Sequence, residues 1–140
     1  MDNVIVNKIA IIERCLQRIH EEYDNHKSEL EKNFSKQDSI ILNLQRASEA
    51  AIDLALHIIK IKNLEIPQSA REAFAILEKH QIIPSALCNK LQRMVGFRNI
   101  AIHDYQNINL EVINNIISTH LSDFLELNKI VLQMVDLITA

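Results

Sequence analysis

Glycine occurs once in the 140 residues, at Gly96, and proline twice. So few breakers exclude hairpin-rich β folds, whose tight turns need glycine at positive φ. A single glycine also excludes the glycine-rich phosphate loops, since neither GxGxxG nor a Walker A sequence can be written with it. Tryptophan is absent and aromatics make up 4%, so the core must be aliphatic. The two cysteines, Cys15 and Cys88, are far apart and form no CxxC pair, which points to two reduced thiols in a cytoplasmic protein. The start, Met1-Asp2-Asn3, lacks a basic leader region. No uncharged apolar stretch reaches the roughly 18 residues of a membrane span, so no membrane association is expected.

What is present is a folding composition: 48% hydrophobic and 24% charged residues, in a length that suits one domain spanning 1–140. A chain of this size buries only about 68–70% of its unfolded surface, which leaves apolar surface for a partner subunit. The net charge of −3 offers nucleic acid no general attraction, so any RNA contact must come from a local patch.

The apolar spacing is helical throughout. Asp2 or Asn3 opens a first helix carrying Ile5, Ile9, Ile12, Leu16, Ile19 and Tyr23 at steps of three and four. A second begins near Ser35 or Asp38. Its stretch from Ala47 to Ile59 is apolar on more than one face, as expected of a central helix. Ser69-Ala70-Arg71-Glu72 is a capping box that starts a short third helix ending near Gln81. Pro84-Ser85 starts a fourth, through Leu87, Leu91, Met94, Val95, Phe97 and Ile102. One long last segment runs from Asn107 or Asn109 through Ile113, Ile117, Leu121, Phe124, Leu125, Ile130 and Leu137. The expectation is an all-α antiparallel bundle of four or five helices.

Chemistry is scarce along this chain. No two of the six histidines stand at i, i+4, so no metal site is expected, and no cofactor motif is present. Glu21-Glu22 and Glu29-Glu31 read as a solvated face. One segment differs, Gly96-Phe97-Arg98-Asn99-Ile100-Ala101-Ile102-His103-Asp104-Tyr105, which gathers polar side chains at the end of an apolar helix. Arg98 and Tyr105 fall about 20° apart on a helical wheel, whereas Arg98 and His103 are about 140° apart. Either the helix loosens near His103 or a second subunit supplies the same residues across a two-fold axis. An arginine fork suits phosphate oxygens, and an imidazole moves protons near neutral pH. Together they suit attack of a ribose 2′-hydroxyl on its own phosphate, with His103 as acid or base, Arg98 stabilising charge and Asn99 orienting either one. The plainer reading is that Arg98 and His103 cap a helix C-terminus. Lys90 and Arg93, upstream on the same helix, either steer RNA or form a solvated face.

Arg98-Asn99-Ile100-Ala101-Ile102-His103 followed by Asp104-Tyr105 resembles the Arg-x(4–6)-His signature of HEPN-domain proteins, in the form found in the HepT toxins of HepT–MntA pairs. The run Leu91 to Asn99 and the stretch Ala50 to Ile59 resemble the same family, so the likeness covers nearly the whole chain. It implies a HEPN homodimer whose motif faces a shared cleft. It implies a metal-independent endoribonuclease toxin with Arg98 and His103 as the active pair and Asn99 in support. It also implies an MntA-like, MNT-type nucleotidyltransferase antitoxin that transfers AMP to Tyr105 and so blocks RNA. Asp53 and His57 are read as core or surface positions before cleft ones. The competing expectations are a non-catalytic nucleotide- or substrate-binding subunit of a nucleotidyltransferase, and a plain structural bundle.

Overall fold

The computed structural model describes residues 2–24, 32–103 and 109–139, and side chains over 2–23, 32–102 and 109–135. Among these the chain forms six helices and no strand: α1 (Asn3–Asp24), α2 (Phe34–Ile61), α3 (Ala70–Lys79), α4 (Ser85–His103), α5 (Leu110–Thr119) and α6 (Leu121–Thr139). The all-α architecture is the expected one, with one helix more than the spacing suggested. No helix among the described residues is long and apolar enough to cross a membrane.

The stripe read along α1 is the buried one, since Ile5, Ile9, Ile12, Leu16, Ile19 and Tyr23 all face the core. The stripe packs along α2 more extensively than any other two helices meet. Helix α2 also touches α3, α4 and α6, and is the central element. Its small residues Ala47, Ala50, Ala51 and Ala55 let neighbours approach, while Leu54, Ile58 and Ile59 fill the space between them. Phe74 on α3 is the largest fully buried side chain. Truncating a buried phenylalanine to alanine costs about 3–5 kcal/mol.

Caps set the boundaries. The Asp2 carboxylate accepts from the amides of Val4 (2.9 Å) and Ile5 (3.3 Å), and Ser69 Oγ accepts from Glu72 N (3.1 Å), as the sequence led us to expect. Helix α2 starts before the expected Ser35 or Asp38, because Asn33 Oδ1 takes the Lys36 amide at 3.1 Å. Helix α3 stops at Lys79, and Gln81 lies beyond it at φ 60°. Asn63 stands in the same left-handed conformation after α2, at φ 54°. At both ends paired amides reach back in the Schellman pattern: Asn63 to Lys60 and Leu64 to Ile59, then Gln81 to Glu78 and Ile82 to Leu77. A chain so poor in glycine thus closes two helices with asparagine and glutamine.

The long C-terminal segment breaks at His120, where one helix was expected. The His120 amide closes α5 on the Ile116 carbonyl at 2.8 Å. Its ring Nδ1 lies 3.0 Å from Asp123 Oδ2, while the Asp123 amide bonds the His120 carbonyl at 3.1 Å. That reciprocal pair restarts the chain as α6 and resets its phase. Leu127, Val131 and Val135 are buried, and the expected inward residue Leu125 is 48% exposed.

Polar clasps tie the bundle at its edges. Lys8 Nζ meets Asp53 Oδ2 at 3.0 Å and His57 Nε2 meets Asp2 Oδ2 at 2.6 Å, joining the start of α1 to α2. Asp53 and His57 therefore have structural partners. Both cysteines are buried and free. Burial pushes the Cys88 thiol up to about 12, helped by its hydrogen bond to Glu78, and burial also raises Cys15.

Candidate active site

The C-terminal half of α4 carries the polar cluster, and the helix sends its members in different directions. Arg98 turns toward α2, where its Nη1 lies 3.3 Å from Glu49 Oε1. Its side chain is only 19% exposed, and its Nε is buried without a hydrogen-bond partner. The guanidinium is therefore held through Nη1, with the Nε donor left unused. His103 is the last residue of α4. The side chain of His103, and Asp104 and Tyr105 entirely, lie outside the described residues.

Asn99, Lys90 and Arg93 point elsewhere. They line a cleft of about 700 Å³ between α4 and the α5–α6 pair, which Arg98 does not line. The divergence follows from a rotation of about 100° per residue, which cannot send Arg98 and Asn99 the same way. The cleft floor is apolar, with Met94, Phe97, Ile116 and Phe124. Lys90 Nζ stands 3.8 Å from Asp123 Oδ1, and this carboxylate, only 8% exposed, also holds His120. Within one chain, then, Lys90, Arg93 and Asn99 share one cleft and Arg98 faces another surface.

Three residues near these groups escaped the sequence reading. Glu49 looked like one charge among many on α2, and its register with Arg98 depends on how α2 and α4 cross. Arg71 was read only as part of a capping box. Its guanidinium lies over Gly96, where an added Cβ would meet Nη2 at 2.8 Å, and Gln92 Nε2 bonds its carbonyl at 3.0 Å. The one glycine thus makes room for a cation at the cleft. His120 did carry a signal, an aspartate three residues on at a helix start. Among the described residues no group of three His, Cys, Asp or Glu could hold a metal ion.

A helical bundle ending its fourth helix in Arg98-x4-His103 has the outline of a HEPN-type ribonuclease. A family model described as "Ribonuclease HepT-like" matches residues 12–131. The mRNA nuclease HepT of Shewanella oneidensis is 47% identical over 124 residues, covering 89% of this chain and 92% of that protein. The structure of the tri-AMPylated Shewanella oneidensis HEPN toxin in complex with MNT antitoxin superposes with a TM-score of 0.89 at 44% identity, covering 94% of this chain and 98% of that one. A crystal structure of a toxin–antitoxin with AMP-PNP gives a TM-score of 0.89 at 43% identity, over 93% and 98% of the two chains. The chain belongs to the HepT-like ribonuclease family.

Proposed function

We propose that the chain is the toxin of a toxin–antitoxin pair, an endoribonuclease that needs no metal and cuts RNA with Arg98 and His103 in a cleft shared by two subunits. The observation that carries this reading is the mostly buried Arg98 guanidinium, held through Glu49 at the end of α4, five residues before His103. The names of the relatives support it, one being an mRNA nuclease and another an AMPylated HEPN toxin with its MNT antitoxin.

The chemistry needs no more than these groups supply. The ribose 2′-oxygen attacks the adjacent phosphorus, its proton passes to a base, and the 5′-oxygen leaves with a proton from an acid. His103 serves in one of these roles, an effect of about 10²–10⁴-fold. Arg98 stabilises the charge that gathers on the phosphoryl oxygens. Asn99, coming from the second subunit's helix in a homodimer, orients the reacting groups, and Lys90 and Arg93 hold the strand by its phosphates. An MNT-type nucleotidyltransferase transfers AMP from ATP to the Tyr105 hydroxyl. The added nucleotide brings its own anion to the arginine and excludes RNA.

The test is cleavage of RNA by purified Arg98→Ala and His103→Ala proteins, with circular dichroism and sedimentation as controls. Cleavage is expected to fall at least about 10²-fold in each while fold and oligomeric state persist. A 2′-deoxy link at the cut position is expected to resist the wild-type protein. Tyr105→Phe, incubated with the antitoxin and ATP, is expected to gain no AMP by mass and to keep cutting. Retained cleavage in both alanine variants rejects the assignment.

A further inference from the structure

A second concave surface lies on the other flank of α2. It is a groove of about 770 Å³ between α1 and α2, and its charged walls include Arg14, Arg18 and Arg46. All three are exposed, and among the described residues their side chains make no ion pair. Of the groove's other charges, Lys8 pairs with Asp53 at 3.0 Å, Glu49 pairs with Arg98 at 3.3 Å, and the Glu21 carboxylate accepts from the Gln17 amide at 3.4 Å. A chain of net charge −3 therefore concentrates unpaired guanidiniums in one groove. Arg14 and Arg18 stand one turn apart on α1, a rise of about 6 Å, comparable with the distance between successive phosphates of an extended strand. Arg46 faces them from α2, and Cys15 lies between, close enough for the charges of both Arg14 and Arg46 to act on its thiol. Glu49 both lines the groove and binds Arg98, so the groove runs up to the arginine of the proposed active pair.

We infer that the α1–α2 groove is a phosphate-binding track for single-stranded RNA, in which Arg14, Arg18 and Arg46 grip the strand beside the link that Arg98 addresses. The inference rests on the ribonuclease reading and adds a substrate-binding surface to it. RNA is favoured over a protein partner by the walls themselves. No aromatic anchor of the kind that dominates protein interfaces lines the groove, whereas its exposed guanidiniums, with the Gln45 amide beside them, suit phosphate and sugar oxygens.

The test measures binding of a fluorescent oligouridylate to the full-length His103→Ala protein across a range of salt. Adding Arg14→Gln, Arg18→Gln and Arg46→Gln together is expected to weaken binding more than tenfold. It is also expected to lower the log–log salt slope by about 2, the loss of three single-strand phosphate contacts. The matching three Arg→Lys changes are expected to keep the slope. If the triple glutamine variant does not fold, Arg14→Gln with Arg18→Gln carries the test, with a slope loss of about 1.4. A folded variant with unchanged affinity and slope overturns the inference. So does one that keeps RNA binding but no longer binds the MNT antitoxin. Because binding is read on a chain that lacks His103, failure of the track is distinct from failure of the nuclease reading, which is decided by wild-type cleavage.

Discussion

Asn128 shows how a single residue can run against the packing around it. It sits on α6 at 3% exposure, and neither its amide nitrogen nor its oxygen has a hydrogen-bond partner. A buried polar group left unsatisfied costs about 1–3 kcal/mol, whereas an aliphatic side chain of similar volume contributes by its burial. Asn128→Leu is therefore expected to raise the unfolding free energy by about 1–2 kcal/mol, measured by urea titration. A lower value would mean that the amide finds a partner when the protein assembles. Arg98 has a similar unpaired Nε, yet its Nη1 reaches Glu49. The candidate cluster was legible in the sequence, because Arg98, Asn99 and His103 interrupt an apolar helix. The separate directions of Arg98 and Asn99 were not. Adjacent residues diverge by about 100°, and the partner that holds Arg98 comes from a helix about fifty residues earlier in the chain.

At the scale of the element, several helix starts were legible, while those of α2 and α6 and some stops were not. Asp2, Ser69 and Asn109 cap helices where their short polar side chains predict it, the last by accepting the Glu111 amide at 2.7 Å. The break at His120 carries no glycine or proline, and apolar residues continue across it, so periodicity alone reads one helix. The end of the third helix near Gln81 was legible, but no glycine signals the left-handed conformation that Gln81 itself adopts there. A non-glycine residue in the left-handed region costs about 1–2 kcal/mol, set against the greater chain entropy that glycine loses on folding, about 0.5–1 kcal/mol. Gln81→Gly is therefore expected to stabilise the protein by about 0.5–1 kcal/mol in thermal melts. Asn63→Gly is expected to gain less, since asparagine tolerates this conformation better.

At the scale of the whole molecule, its response to acid follows from the carboxylates that clasp its edges. Glu65 takes hydrogen bonds from Lys79 Nζ at 2.8 Å and His80 Nε2 at 2.5 Å, which hold its carboxyl at about 2 instead of its ordinary 4.5. The His57 bond likewise lowers Asp2. A carboxylate that is more acidic folded than unfolded lends stability fully above its unfolded value, and that stability is lost as pH falls through the folded one. The Glu65 share is therefore expected to be present at neutral pH and to disappear between about 4.5 and about 2. Glu65→Gln, followed by denaturant titration over that range, is expected to flatten this part of the profile.

The two thiols set a further property of the whole molecule. Cys15 and Cys88 are shut inside, and Cys88 would shed its proton only near pH 12. Iodoacetamide at pH 8 is expected to label neither in the native protein and both in guanidinium. Thiolates are what peroxide and diamide attack, and the native chain presents none at neutral pH. In the folded protein, then, neither thiol is offered to an oxidant.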